Sequence, residues 1–410
     1  MGHTKGVWGS SPSDSYERLA DRFRHTFHRI REGSVQRELN RKLLYEEIGW
    51  LKDIGFGAVR IPKEKGGFGA TLPEFFNLLI ELAEADSNLP QALRIHFGFV
   101  ERILGLPDGG QRDRWLKRLA DGALIGNAQT ETGESIVGSY ATTLSTREER
   151  LKLTGVKYYS TGTIYADWIV VGATNEEDEI VTAIVPATAE GVDIADDWAG
   201  FGQTLTGSGT TTFSDTPVDK DEVLSRESYP KYGTAFVQMV HLATLAGIAR
   251  AAARDVSAAV AERRRTFSHA SAARSAEDPQ VLQVVGRVHS QAYAAGAIVL
   301  KAAEALQRVC DLEETAGDTE YEDKVKDEAD VEVSQAQTVV TGLTLEAVSS
   351  IFDALGASAT ARSKGMDRYW RNARTIASHN PLIYKERIVG DYTVNGTRPS
   401  IGWQTGIANK

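Results

Sequence analysis

The chain has 410 residues, of which 41% are hydrophobic and 25% charged, enough apolar material for two or three domains of an ordinary globular protein. A net charge of −10 argues against nucleic acid or an anionic membrane surface as partner. The single cysteine, Cys310, excludes an intrachain disulfide framework and a cysteine-built metal site, and no metal is expected. The N-terminal stretch lacks a signal-peptide layout, and no run approaches the ~18 uninterrupted apolar residues of a membrane span. A cytoplasmic protein is expected.

Residues 1–120 read as an N-terminal helical domain. In YERLADRFRHTFHRIR the residues Leu19, Phe23, Phe27 and Ile30 recur at helical spacing, and ELNRKLLYEEIGWLKDIG continues that pattern up to Gly55. From 121 to 228 the texture changes to short β-branched runs such as DWIVVGAT and EIVTAIVPA, separated by Gly, Asn or Asp, as in a β domain. From 229 to 380 long helices return. One is predicted over GTAFVQ…RRRTF and one after Asp278-Pro279, a pair suited to the N-cap and first helical positions. A third ends at Gly356, after an acidic connector EETAGDTEYED, and a fourth covers SATARSKGMDRYWRNARTIAS. Four such helices suggest a bundle. Residues 381–410 read as an extended, Gly-rich tail that packs on a neighbouring subunit. No GxGxxG is present, so a Rossmann domain is not indicated.

Four motifs stand out in this order. GNAQTETGES (126–135) holds Asn127 and Thr130, and GVKYYSTGTIYADWIVV (155–171) holds Thr161. RRTFS (264–268) begins with Arg264, and DRYWRNAR (367–374) is followed by T-I-A-S-His379-Asn380-Pro381. Taken with the helix–strand–helix order, they make the chain resemble the acyl-CoA dehydrogenase superfamily over essentially its whole length. The resemblance implies an α+β fold: N-terminal helical domain, central β-barrel or sandwich domain, and C-terminal four-helix bundle. It further implies Thr130 in the flavin-contacting loop, Thr161 near the flavin N5, and Arg264 at the cofactor phosphate.

Dehydrogenases of the commonest type carry a glutamate just after this last helix, where the present chain has Asn380 or a neighbour. An amide cannot act as a general base. The W-R-N-x-R-T…H-N-P pattern instead resembles the flavin-dependent monooxygenase branch, whose members act on dibenzothiophene and small organosulfur compounds. Asn127, Trp198 and the TGSGT loop with Ser208 fit the same branch. The branch implies a two-component system. Reduced FMN arrives from a separate reductase, O₂ is the cosubstrate, and a flavin C4a-hydroperoxide delivers one oxygen to a small sulfur compound. FAD is less favoured, because FDALGASATA lacks the Gln and paired Gly of the FAD turn. His379 is expected to bond the oxygen to be transferred, with Asn127 and Thr161 as neutral donors and His96 as a second candidate. A homotetramer is implied. Two alternatives stand beside this reading: N-hydroxylation of an amine, and an acyl-CoA dehydrogenase with a relocated base.

Overall fold

A computed structural model describes residues 8–133, 137–225, 229–313, 319–402 and 406. Six helices open the chain: α1 (Tyr16–Asn40), α2 (Tyr45–Asp53), α3 (Leu72–Ala85), α4 (Asn88–Ala92), α5 (Arg94–Leu104) and α6 (Gly110–Ala120). The predicted run through 40–55 is broken where Arg41 turns left-handed at φ 48° and ends α1; Gly55, at φ 72°, follows α2. The start of α3 is fixed by a capping box. Thr71 accepts from the Glu74 backbone N–H, and the Glu74 carboxylate accepts from the Thr71 N–H.

Eight strands follow: β1 (Ile125–Ala128), β2 (Thr143–Arg147), β3 (Arg150–Lys157), β4 (Trp168–Thr174), β5 (Ile180–Pro186), β6 (Val192–Ile194), β7 (Thr211–Val218) and β8 (Val223–Ser225). They form one mixed sheet in the order β6-β7-β3-β2-β4-β5-β8, with β1 pairing parallel to β4. Alternation along β4 divides its side chains. Ile169, Val171 and Ala173 join Phe213 and Val185 in a core inside the curled sheet, while Val170 faces Phe99 and Trp115 of the N-terminal helices.

The chain then returns to helices: α7 (Gly233–Glu262), α8 (Pro279–Glu313), α9 (Thr319–Leu355), α10 (Asp367–Ser378) and α11 (Leu382–Asn395). Asp278 caps α8 as its sequence predicts, its Oδ1 accepting from the N–H groups of Gln280 and Val281. Both α7 and α9 are long and apolar enough, by length and composition, to cross a membrane. The apolar stretch of α7 is nevertheless wholly buried, because α3, α8 and α9 cover it on all sides.

Four expectations change. α7 stops at Glu262, before the Arg triplet, and α9 begins at Thr319, inside the predicted acidic connector; Glu320 and Glu322 sit favourably at its N-terminus. The fourth bundle helix is shortened to α10, because Gly356 and Gly365 take φ of 65° and 56° and the polar residues between them form only 3-10 turns. The tail, expected to be extended, is helical over 382–395, and within the chain it packs on α9. Arg398 pairs there with Asp323 and Asp327, and the buried Lys385 donates to the Ile401 carbonyl. Trp403 lies outside the described residues.

Candidate active site

A cavity of about 570 Å³ opens where α4, α5, the sheet and the end of α10 converge, within the size range of cofactor sites. Its wall includes Asn127, Thr130, Thr161, Trp198, Ser208 and His379, six of the residues that the sequence singles out. Strand pairing fixes the first of these. Asn127 stands on β1 opposite Val170 of β4, donates from Nδ2 to the Tyr159 carbonyl at 3.4 Å, and leaves its buried Oδ1 without a partner among the described residues. Glu134 and Ser135 of the same motif lie outside the described residues.

Thr161 belongs to a line of hydroxyls. Thr206 donates to the Gln203 carbonyl at 2.8 Å, so its contact of 2.7 Å with Ser208 must be one it accepts. Ser208 has then used its proton and accepts in turn from Thr161 at 2.9 Å. Each hydroxyl has a single proton. Thr161 therefore ends the line with its lone pairs available, an acceptor where a donor was expected. Gly162, next in the chain, takes φ 78°, and a Cβ there would stand 2.0 Å from the Ala92 carbonyl. Only glycine lets this loop lie so close to α4.

At the other wall His379 follows α10. Its Nε2 lies 3.3 Å from Arg94 Nη2 and its Nδ1 3.3 Å from Asn380 Oδ1. A guanidinium can only donate, so Nε2 accepts and Nδ1 carries the proton. Asn380 Nδ2 passes the pattern on to Gln238 Oε1. Burial first, then the Arg94 charge, push the imidazole down to about 3. His241, with its ring centroid 4.4 Å away, is pushed well down by burial and by His379. Both rings are neutral at physiological pH.

Among the described residues one carboxylate, Glu131, lines this cavity. It is held by Lys157 Nζ at 2.6 Å, by the Thr142 hydroxyl at 2.7 Å, and by the N–H groups of Ala141 and Thr142. Those bonds outweigh its burial and keep its pKa below the usual range. A carboxylate so saturated is poorly suited to take a substrate proton.

Two predicted residues stand elsewhere. His96 is wholly buried, its Nε2 3.0 Å from the Gly57 carbonyl, and burial pushes it down to about 4. It sits ~200° around α5 from the cavity-facing Arg94, which makes it a core histidine. Arg264 is exposed in the connection after α7 and does not line the cavity; its neighbour Arg263 instead donates to the carbonyls of Ala354 and Leu355 at the end of α9. Arg94, Gln91, Gln203, His241 and the Glu131–Lys157 pair were not foreseen. Polar side chains at 91 and 94, within the otherwise apolar run LPQALRIHFGFV, were the available signal.

The cavity suits a flavin on its own evidence. Asn127 Oδ1, Gln203 Oε1 and Gln91 Oε1 are buried, belong to lining residues, and have no hydrogen-bond partner among the described residues. Such groups call for a polar, multiply hydrogen-bonding occupant.

Helices, curled sheet and helical bundle closing on one polar cavity constitute an acyl-CoA dehydrogenase architecture. Residues 17–123 match the family model for the acyl-CoA dehydrogenase N-terminal domain, and 239–382 that for its C-terminal domain. The chain is 31% identical over 376 residues to dibenzothiophene monooxygenase of Mycolicibacterium goodii, covering 87% of this chain and 89% of that protein. It is 26% identical over 367 residues to the probable FMNH2-dependent monooxygenase SfnC of Pseudomonas putida, covering 85% and 88%. FMN-bound TdsC from Paenibacillus sp. A11-2 superposes with a TM-score of 0.84 at 28% identity, over 94% of this chain and 99% of that one. The chain belongs to the acyl-CoA dehydrogenase superfamily, in its branch of flavin-dependent monooxygenases.

Proposed function

We propose that this chain is the oxygenase component of a two-component system, transferring one oxygen atom from O₂ to the sulfur of a small organic substrate, with reduced FMN delivered by a separate reductase. The observation that carries this reading is the chemistry of the cavity wall. Among the described residues its histidine, His379, is neutral, its carboxylate, Glu131, is fully engaged, and an amide, Asn380, stands beside His379. Stripping a C–H proton needs a free base, whereas oxygen transfer to sulfur does not.

Bound reduced flavin would supply the electrons that activate O₂. Thr161, as an acceptor at the end of its hydroxyl line, suits the N–H of a reduced ring. Asn127 would anchor the ring through its unpartnered Oδ1, and Trp198, fixed by its Nε1 donating to Gln203 O at 3.0 Å, would wall off water. His379 would take part through Nε2, exchanging its Arg94 bond for one accepted from the transferred oxygen's O–H, while its Nδ1–H bond to Asn380 sets the ring's orientation. Arg264 is assigned to the phosphate from the family pattern, and the assembly to a cytoplasmic homotetramer.

Titration of FMN fluorescence and of reductase-coupled O₂ uptake across thioether, sulfinate and amine panels tests the reading. Saturable FMN binding with sulfur-dependent product supports it. Product from amines alone would move the chain to nitrogen oxidation, and anaerobic bleaching of bound flavin by an acyl-CoA would make it a dehydrogenase.

A further inference from the structure

The cavity contains a positive charge that no described residue balances. Arg94, at the first position of α5, is 5% exposed and lines the cavity beside His379. Its Nη2 donates to a neutral imidazole, its Nε has no partner, and no carboxylate pairs with it among the described residues. Three other arginines packed into this fold each meet a carboxylate. Arg37 meets Glu47 and Asp86, Arg60 meets Glu101, and Arg368 meets Asp255. Burying a guanidinium without a counter-ion is costly, and burial alone draws Arg94 down to about 10, which still leaves it charged at neutral pH. Among the described residues, the other charge on this wall is Glu131, and Lys157 behind it neutralises it at 2.6 Å. Among the described residues, Arg94 is thus the uncompensated charge, at the end of the cavity where His379 lies.

We propose that Arg94 makes this end of the cavity an anion subsite, and that the sulfur substrate carries a singly charged oxyanion group, a sulfinate, sulfonate or carboxylate, that pairs with the guanidinium. This deepens the proposed oxygenase function and rests on it. The planar fork of Arg94 matches two oxygens of such a group, and its unpartnered Nε is one of the donors available to reach them. A neutral substrate would leave the charge uncompensated and would bind less well in proportion. Negative charge on the reduced flavin ring is the competing partner for Arg94, and the experiment separates the two.

Benzenesulfinate and methyl phenyl sulfoxide have nearly the same shape and differ by one charge. Isothermal titration of each into the FMN-loaded protein, with FMN affinity measured separately, is the test. Wild type is expected to bind the sulfinate at least tenfold more tightly than the sulfoxide. R94Q is expected to weaken sulfinate binding roughly 30-fold or more, as for a buried charge pair with one partner removed, while leaving the sulfoxide and FMN within about threefold. R94K should keep part of the preference, which guards against a folding defect in R94Q. Absence of any preference in wild type overturns the proposal, as does an equal loss of both ligands in R94Q, or a loss confined to reduced FMN. Failure of FMN itself to bind would instead refute the oxygenase reading.

Discussion

Lys157→Met isolates the ion pair that takes Glu131 out of consideration as a base. Lys157 is fully buried, with Nζ 2.6 Å from Glu131 Oε1 and 3.9 Å from the Tyr140 ring centroid. At an effective dielectric of ~20 the Coulomb attraction is ~6 kcal/mol, largely offset by desolvation of both ions. Removing the ammonium alone leaves a buried carboxylate, which costs ~3–5 kcal/mol in general. Three remaining donors, the Thr142 hydroxyl and the N–H groups of Ala141 and Thr142, place the expected loss near ~3 kcal/mol. Glu131→Gln should cost less, ~1–2 kcal/mol, because Lys157 is already pushed down to about 8 by burial and can shed its proton when the carboxylate is gone. Urea unfolding of wild type, both single variants and the double variant gives the cycle, with the double variant expected to recover ~1–2 kcal/mol of the summed losses. A K157M variant within ~0.5 kcal/mol of wild type, or E131Q costing more than K157M, would refute the reasoning.

Acid should destabilise the fold through its buried neutral histidines. His96 and His379 fall from an unfolded value near 6.5 to about 4 and about 3, so the unfolded chain binds more protons between those limits. Their stabilisation is present above pH 6.5 and lost as pH falls, by roughly 5 kcal/mol for the two together at pH 4.5; a flat stability profile between pH 6.5 and 4.5 contradicts neutral burial. Asn380→Asp places a carboxylate against His379 Nδ1, and the expected rise of ~1–3 pKa units is readable from imidazole ¹⁵N shifts; an unmoved titration means the two side chains are not bonded. Gly162→Ala drives a Cβ against the Ala92 carbonyl at an unfavourable φ, and a melting temperature lower by several degrees, with weaker FMN binding, is expected; full tolerance would show that the Thr161 loop does not lie against α4.

Much of this architecture was legible because each texture has its own period. Leu19, Phe23 and Phe27 mark a helix, the alternation Ile169, Val170, Val171 marks a strand with two covered faces, and Asp278-Pro279 marks a helix start. Six of the eight predicted site residues meet at one cavity for a related reason: they lie in motifs whose order along the chain identifies the family. What escaped was set by rotation and long-range contact. His96 and Arg94 differ by two positions, and nothing in the sequence says which of them faces the cavity. Glu131 and Lys157 pair across 26 residues, and His241 reaches His379 across the bundle. The helical form of 382–395 was hidden by the glycines around it, although Gly396 serves as its left-handed stop.

The most direct test is mass spectrometry of the sulfur product formed under ¹⁸O₂ with reduced FMN supplied by a generic reductase. One ¹⁸O atom per turnover in the product is the predicted result. Product carrying only solvent oxygen, or turnover that proceeds equally well without O₂, would contradict the account.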